Sequence, residues 1–239
     1  MQYAIDHPGD VASLTLIDTV SPYGFGATRG ADGVPVSDDF AGSGAGLANP
    51  EYVRRLADGD DGTDSDVSPR NVMRAFYWRP GLAMDPDRED ALVAEVLATY
   101  VADTGYPGDA TASDNWPGVA PGRSGILNAL SGRYLDTSGI VDIPHKPPIL
   151  WLHGDDDLVV GDQSMFDAGT LGSLGVLPDW PGADVHPPQP MATQIRAVLD
   201  AYAARGGLVV DHEVAESSHG PFIDHPGACA ERIYAFLRR

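Results

Sequence analysis

Two short segments of this sequence each end in polar residues of the types that act together as an acid and a base in many enzymes. The first segment is an apolar run, residues 147–153, which ends at Gly154 and is followed by three aspartates at 155–157. The second contains His219, five residues after another apolar run at 208–214. Because active groups in open α/β sheets gather at the carboxyl ends of strands, we expect one of the aspartates to hydrogen-bond to His219.

Only one of the aspartates at 155–157 is expected to hold His219. Three adjacent carboxylates are costly to bury together, so at most one of them turns inward. The apolar residues after Asp157 indicate that its loop returns to the protein. The main competitor is Asp18, near the end of the preceding apolar run. The remaining histidines lie within strands, beside prolines or in a proline-rich loop, which explains them without a function: His7, His145, His153, His186, His212 and His225.

The alternation of apolar runs and helical segments predicts an α/β fold. Residues 11–20, 149–153 and 208–214 are nearly continuous runs of apolar and β-branched residues, as in strands that are covered on both faces of a parallel sheet. Residues 191–205 and 228–237 place apolar residues at helical spacing. Strand, helix, strand and helix in this order predict a doubly wound parallel sheet with flanking helices.

Residues 21–145 interrupt this alternation with a segment that is too long for a loop. The segment is rich in Gly, Pro, Asp and Ser, and it contains clear helix starts at Asn49 and Ser68, where a capping residue precedes a proline. We therefore expect a mostly helical lid over the carboxyl ends of the strands. The α/β core is expected to consist of residues 1–20 and 146–239.

Aromatic residues in and around the lid are candidates for contact with a substrate. Either Tyr23 or Phe25 is expected to face His219 across a pocket, with one of the aromatic residues at 76–78 on the other side. Four residues are predicted to bind the substrate: Tyr23, Phe25, Trp78 and Phe222.

Three segments resemble parts of one known family, the α/β-hydrolase superfamily. GDDDLV at 154–159 resembles its acid loop, ESSHGPFIDHP at 216–226 resembles its histidine loop, and the opening AIDHPGDVASLTLIDTVSP resembles the helix and strand that follow its nucleophile. The resemblance implies a partial α/β-hydrolase fold, with strands 6–8 of the family's parallel sheet, flanking helices and a lid. In that family the acid is usually the third residue after the strand-ending glycine, which here is Asp157 after Gly154. The resemblance therefore implies that Asp157 holds the imidazole ring and that His219 deprotonates the nucleophile.

The nucleophile motif of that family, Gly-x-Ser-x-Gly, does not occur in this sequence. The resemblance places the nucleophile upstream of Met1, and Ser43, although flanked by glycines, follows no strand and is expected in a flexible part of the lid. The prediction is a serine hydrolase of ester, lactone or amide bonds in small apolar substrates, incomplete in this chain. The same acid and base would serve an aspartate nucleophile, as in an epoxide hydrolase or a dehalogenase. The missing motif also fits a non-catalytic binding module, or a subunit that another chain completes.

Charge and hydropathy limit the partners of the protein. With 35 acidic and 15 basic residues the net charge is −20, so nucleic acids would be repelled. No run approaches the ~18 apolar residues of a membrane span, and no secretory signal opens the chain, so we expect a cytoplasmic protein without membrane contact. The single cysteine, Cys229, is expected to be buried, and the acidic loop 58–66 lacks the glycine and glutamate of a calcium loop and is expected to be solvated.

No cofactor and no metal are expected from the sequence. The expected partners are a small-molecule substrate and either the missing N-terminal segment or another chain, which would cover an exposed edge of the sheet.

Overall fold

The computed structural model of the protein describes residues 1–238. The strands are β1 (Leu14–Ile17), β2 (Thr28–Arg29), β3 (Val34–Pro35), β4 (Ala110–Ala112), β5 (Val119–Pro121), β6 (Ile149–Gly154) and β7 (Val209–Val214). The α-helices are α1 (Gln2–Asp6), α2 (Pro50–Ala57), α3 (Pro69–Phe76), α4 (Pro86–Leu97), α5 (Ile126–Leu130), α6 (Ala168–Ser173), α7 (Met191–Ala204), α8 (Pro221–Asp224) and α9 (Pro226–Leu237). Two short 3₁₀ helices lie at Ala45–Leu47 and Ser138–Asp142.

The centre of the molecule is a three-stranded parallel sheet with the order β1-β6-β7. Leu14 of β1 pairs with Ile149 of β6, which pairs in turn with Val209 of β7. β6 lies between the other two strands and is buried along its whole length, which explains its continuous apolar sequence. The predicted α/β fold with a parallel sheet is confirmed. The outer edge of β1 has no neighbouring strand within residues 1–238.

Helices cover both faces of this sheet. Trp151 of β6 packs in one hydrophobic cluster with Ile195 and Tyr202 of α7. Leu152, the next residue, packs in another cluster with Cys229 of α9. Successive residues of β6 therefore face opposite helices, as the period of two in a strand requires. The burial of Cys229 agrees with its expected place on the inner face of the C-terminal helix.

Residues 21–145, here called the insertion, connect β1 to β6. The predicted helix starts are confirmed, because the side chain of Asn49 accepts hydrogen bonds at the start of α2 and that of Ser68 does so at the start of α3. The expectation of a mostly helical segment is wrong, since α-helices cover only about a quarter of the insertion. The many glycines and prolines favour turns, and the strands of this segment form two small antiparallel pairs, β2-β3 and β4-β5.

Two buried glutamines fix the start of the insertion to the core. Gln189 Nε2 donates to Gly24 O at 3.0 Å and to Thr28 Oγ1 at 2.7 Å. Gln194 Nε2, on α7, donates to Gly30 O at 2.9 Å. These amide groups satisfy carbonyl and hydroxyl oxygens of a turn that would otherwise be buried without partners.

The acidic loop 58–66 is organised by an arginine. Arg55 of α2 is only 9% exposed, and its guanidinium lies 2.9 Å from Glu51 and 3.0 Å from Asp64, with Asp60 as a third partner. The guanidinium thus supplies the positive charge around which these carboxylates gather. Most residues of the loop are exposed to solvent, as the sequence predicts, and the ionic cluster around Arg55 holds the loop in place.

His186 is a buried histidine that should weaken the protein in acid. Its ring is 2% exposed, packs edge-on against Trp116 at 4.8 Å, and has no hydrogen-bond partner at Nε2 within residues 1–238. Burial lowers the pKa of His186 from 6.5 to about 4. Between these pH values the unfolded chain binds a proton that the native protein does not. Native stability is therefore complete above about pH 6.5 and is expected to fall by up to about 3 kcal/mol as the pH drops to about 4.

A His186→Phe variant should lose this part of the acid sensitivity. We expect its free energy of unfolding in urea to change less than that of the wild type between about pH 7 and about pH 4.5. Equal changes in the two proteins would show that His186 is not the group responsible.

Candidate functional site

The loops that carry Asp157 and His219 follow the adjacent parallel strands β6 and β7. Asp155 ties these loops together, because its carboxylate accepts hydrogen bonds from the N–H groups of Glu216 and Ser217, both at 3.0 Å. The first two aspartates of the acidic turn are exposed, and only Asp157 is turned inward. The three consecutive carboxylates are thus separated in space, as the cost of burying them together requires.

Asp157 and His219 form a hydrogen-bonded pair. Nδ1 of His219 lies 3.0 Å from Oδ2 of Asp157, and the other carboxylate oxygen accepts from the N–H groups of Val159 (2.7 Å) and Val160 (3.0 Å). The predicted contact between Asp157 and His219 is confirmed. Burial would raise the pKa of Asp157, but the hydrogen bond and charge of His219, with the two backbone N–H groups, lower it below the usual value. Asp157 is therefore an anion at neutral pH and can hold the imidazole ring.

The close approach of the two loops depends on Gly154, the last residue of β6. A Cβ atom at this position would lie 2.1 Å from the carbonyl oxygen of Ser218 and 2.5 Å from that of Ser217. Any side chain here would therefore push the histidine loop away from the acid loop.

Asp18 is a third polar residue at this place, just after β1. One oxygen or nitrogen atom from each of Asp18, Asp157 and His219 lies within 4.8 Å of the others. Asp18 Oδ1 accepts from the N–H of Gly154 at 3.1 Å, whereas no donor reaches Oδ2 within the described chain. Burial, and then the charge of Asp157, raise the pKa of Asp18 to about 9. Asp18, the competing carboxylate, thus lies beside the Asp157–His219 pair and is protonated at neutral pH. It does not take the place of Asp157 as the hydrogen-bond partner of His219.

Tyr77 is the aromatic residue that faces His219. The two ring centroids are 6.1 Å apart in an edge-to-face arrangement, and the Ser218 hydroxyl donates to the carbonyl of Phe76 at 3.0 Å. These contacts place the end of α3 over the histidine loop, at the carboxyl ends of the strands. Phe76 also packs edge-to-face on Phe166, which follows the acid loop, at 4.9 Å. Sequence reasoning missed Phe166, because nothing local marks it as a neighbour of α3.

The four residues predicted to bind a substrate have different surroundings. Trp78 is 3% exposed and packs among residues of α3 and α4 in the core of the insertion. Tyr23 packs against the cluster between β6 and α7. Phe222 is exposed on α8, and Phe25 is half-buried. Trp78 and Tyr23 thus contribute to packing, and of the aromatic residues at 76–78 it is Tyr77 whose ring reaches His219.

No hydroxyl or thiol group of residues 1–238 hydrogen-bonds to His219. The neighbouring hydroxyls of Ser217 and Ser218 are buried and donate to other acceptors. Ser43 is 1% exposed, and its hydroxyl lies 2.7 Å from the hydroxyl of Ser131. It is therefore a packed residue of the insertion, and the expectation that it lies in a flexible part of the lid is wrong. Within the described chain, Nε2 of His219 therefore has no partner.

A cleft of about 320 Å³ opens beside Asp157, between the ends of β1 and β6 and the start of α7. His219 does not line it. The single arginine in its wall, Arg196, is paired with Asp211. The charged and titratable residues of its wall are Asp18, Asp155, Asp156, Asp157, Asp162, Glu213, His153 and Arg196. The cleft is therefore strongly negative and would attract cations rather than anions.

A comparison of the chain with protein-family models, with curated proteins and with solved structures finds no match. Within residues 1–238, no helix is both long enough and apolar enough to cross a membrane. The assignment of a function therefore rests on the geometry around Asp157 and His219.

Proposed function

We propose that this chain carries the acid and the base of an α/β-hydrolase active site. The observation that supports the proposal is the 3.0 Å hydrogen bond between His219 Nδ1 and Asp157 Oδ2, formed by loops at the ends of adjacent parallel strands. With Nδ1 held by a carboxylate, Nε2 is the nitrogen that would take the proton of a nucleophile and return it to the leaving group. Asp157 would fix the tautomer and stabilise the imidazolium.

The arrangement of the strands also supports this proposal. The order β1-β6-β7, with all strands parallel, fits the last part of a hydrolase sheet, in which the acid and the histidine follow neighbouring strands. The end of α3 covers the histidine loop through Tyr77 and Phe76, which is the place of a lid. The reaction proposed is the hydrolysis of an ester, lactone or amide bond in a small substrate, and it requires no cofactor.

The nucleophile is proposed to come from a further strand that pairs with the open edge of β1. That edge presents unpaired N–H and C=O groups within residues 1–238, and such an edge favours pairing with another segment. The segment would belong to a longer form of this protein or to a second chain. The combination of this chain with the segment that supplies the nucleophile is called the completed enzyme below.

A second candidate function is a non-catalytic binding module. It is favoured by one observation, that the hydroxyls nearest to His219 in sequence, Ser217 and Ser218, are both engaged with other acceptors. An aspartate nucleophile, as in an epoxide hydrolase or a dehalogenase, is a variant of the first proposal, because the same acid and base would serve it.

A fluorophosphonate probe, which reacts with activated serines, distinguishes these possibilities. The 239-residue chain alone should not be labelled, because no hydroxyl of its described part reaches His219. The completed enzyme, obtained by expressing this chain together with the segment that supplies the nucleophile, should be labelled at one serine outside the chain. Labelling of a serine within the chain, abolished by His219→Ala, would contradict the proposed origin of the nucleophile. Absence of both labelling and hydrolysis in the completed enzyme would overturn the catalytic proposal in favour of the binding module.

A further inference from the structure

We propose that Asp18, Asp157 and His219 form a binding site for a divalent transition-metal ion such as zinc. The three residues come from three different loops, which follow β1, β6 and β7. Their donor atoms lie within 4.8 Å of one another, and the closest pair identified, His219 Nδ1 and Asp157 Oδ2, is separated by 3.0 Å. Zinc holds its ligands at about 2.0–2.2 Å in a tetrahedral arrangement, so two ligands of one ion lie about 3.4 Å apart. Side-chain movements of about 1 Å would therefore bring all three donors onto one ion.

Backbone N–H groups already orient both carboxylates for this role. Asp157 Oδ1 accepts from Val159 and Val160, and Asp18 Oδ1 accepts from Gly154, so in each residue Oδ1 is fixed by the backbone. Asp157 Oδ2 is directed at His219. Outer contacts of this kind fix the ligands of protein metal sites.

The buried oxygen Oδ2 of Asp18 indicates, independently of the distances within the cluster, that a ligand binds here. Asp18 is 8% exposed, and its Oδ2 is buried without a hydrogen-bond donor in the described chain. A buried carboxylate oxygen beside a second carboxylate requires a positive partner, which is either a proton or a cation. A metal ion coordinated by both carboxylates would displace the proton of Asp18, satisfy this oxygen and neutralise the negative charge of the two carboxylates.

The surroundings provide a route for a cation. Asp18 and Asp157 both lie in the wall of the negative cleft, so the proposed site adjoins a space that attracts cations. One imidazole and two carboxylates suit zinc, manganese or iron(II), whereas calcium requires six to eight oxygen ligands. Three protein ligands also leave at least one position for water.

Metal binding and the proposed hydrolysis would exclude each other. The ion would occupy His219 Nδ1 and Asp157 Oδ2, the atoms whose hydrogen bond orients the base. Zinc is therefore expected to act as an inhibitor of the completed enzyme. This consequence rests on the proposed function, whereas the binding itself is independent of it and is measured without any nucleophile.

Isothermal titration of the EDTA-treated 239-residue chain with zinc chloride tests the site. We expect one saturable site per chain, with an affinity at least tenfold weaker in Asp18→Asn and in His219→Ala. Glu213→Gln is the matched control, because Glu213 lies in the same cleft wall but outside the three-residue cluster. The zinc affinity of this variant should stay within twofold of that of the wild type. Far-UV circular dichroism confirms that each variant is folded.

Two results would overturn the metal site. One is the absence of a saturable zinc isotherm in the folded wild type, which would mean that a proton alone satisfies Asp18. The other is an equal loss of affinity in Glu213→Gln and Asp18→Asn, which would indicate diffuse binding to the acidic surface. If Asp18→Asn does not fold, the NMR resonances of His219 in the wild type provide the test. Zinc should displace the Nδ1 proton of this histidine, and an unchanged His219 signal would refute the proposal.

Discussion

A completed enzyme with alanine in place of His219 is expected to hydrolyse its substrate roughly 10⁴-fold more slowly than the parent, or more slowly still. His219 is the proposed proton acceptor, and nothing in residues 1–238 takes its place beside Asp157. Asp157→Asn is expected to cause a loss of similar size, roughly 10⁴-fold, because the amide favours the wrong tautomer of the ring while leaving its position intact. The measurement is kcat/KM with a chromogenic ester, in buffer that contains EDTA.

Asp156→Asn provides the control for these variants. It removes the same charge one residue earlier in the acidic turn, where the side chain is exposed and forms no hydrogen bond with His219. Its activity should remain within about twofold of the parent, since surface charges act weakly through solvent. Equal losses in Asp156→Asn and Asp157→Asn would show that the net charge of the turn matters and that the 3.0 Å contact does not.

Replacement of Gly154 by alanine is expected to destabilise the protein by about 3 kcal/mol. The added methyl group would lie 2.1 Å and 2.5 Å from two carbonyl oxygens of the histidine loop, so backbone rather than a flexible side chain must move. The same displacement should lengthen the contact between Asp157 and His219. We therefore expect lower stability in urea and loss of the His219 hydrogen bond in NMR spectra.

Gly227→Ala is the matched control for this prediction. Gly227 lies in the first turn of α9, and a Cβ atom there meets no other atom within 4 Å. Alanine is favoured over glycine in helices, so this variant should be as stable as the wild type or slightly more so. Similar destabilisation by the two substitutions would contradict the argument that the close approach at Gly154 is responsible.

The pattern of the sequence was sufficient to predict the parallel sheet and the contact between Asp157 and His219. β6 is a continuous apolar run because it is the central strand, and a strand with both faces covered produces this pattern in any α/β protein. Asp157 and His219 follow neighbouring strands, so their meeting follows from the parallel order of the sheet. Helix starts at Asn49 and Ser68 were also predictable, because capping is a local interaction.

Features that depend on tertiary contacts were not predictable in the same way. Tyr77 and Trp78 are adjacent and similar in type, and only the orientation of α3 on the core decides that Tyr77 reaches His219 while Trp78 is buried. The proximity of Asp18 to Asp157 depends on the register between β1 and β6. Ser43 is packed because it hydrogen-bonds to Ser131, which is 88 residues away in the chain.

The tautomer of the His219 ring tests the central claim most directly. Long-range ¹H–¹⁵N NMR spectra of the zinc-free chain distinguish the two neutral tautomers of each histidine. If Asp157 orients the base, His219 should carry its proton on Nδ1 at neutral pH, and Asp157→Asn should abolish this preference while Asp156→Asn leaves it unchanged. A His219 that carries its proton on Nε2 in the wild type, or that does not respond to Asp157→Asn, would contradict the assignment of these residues as the base and acid of a hydrolase.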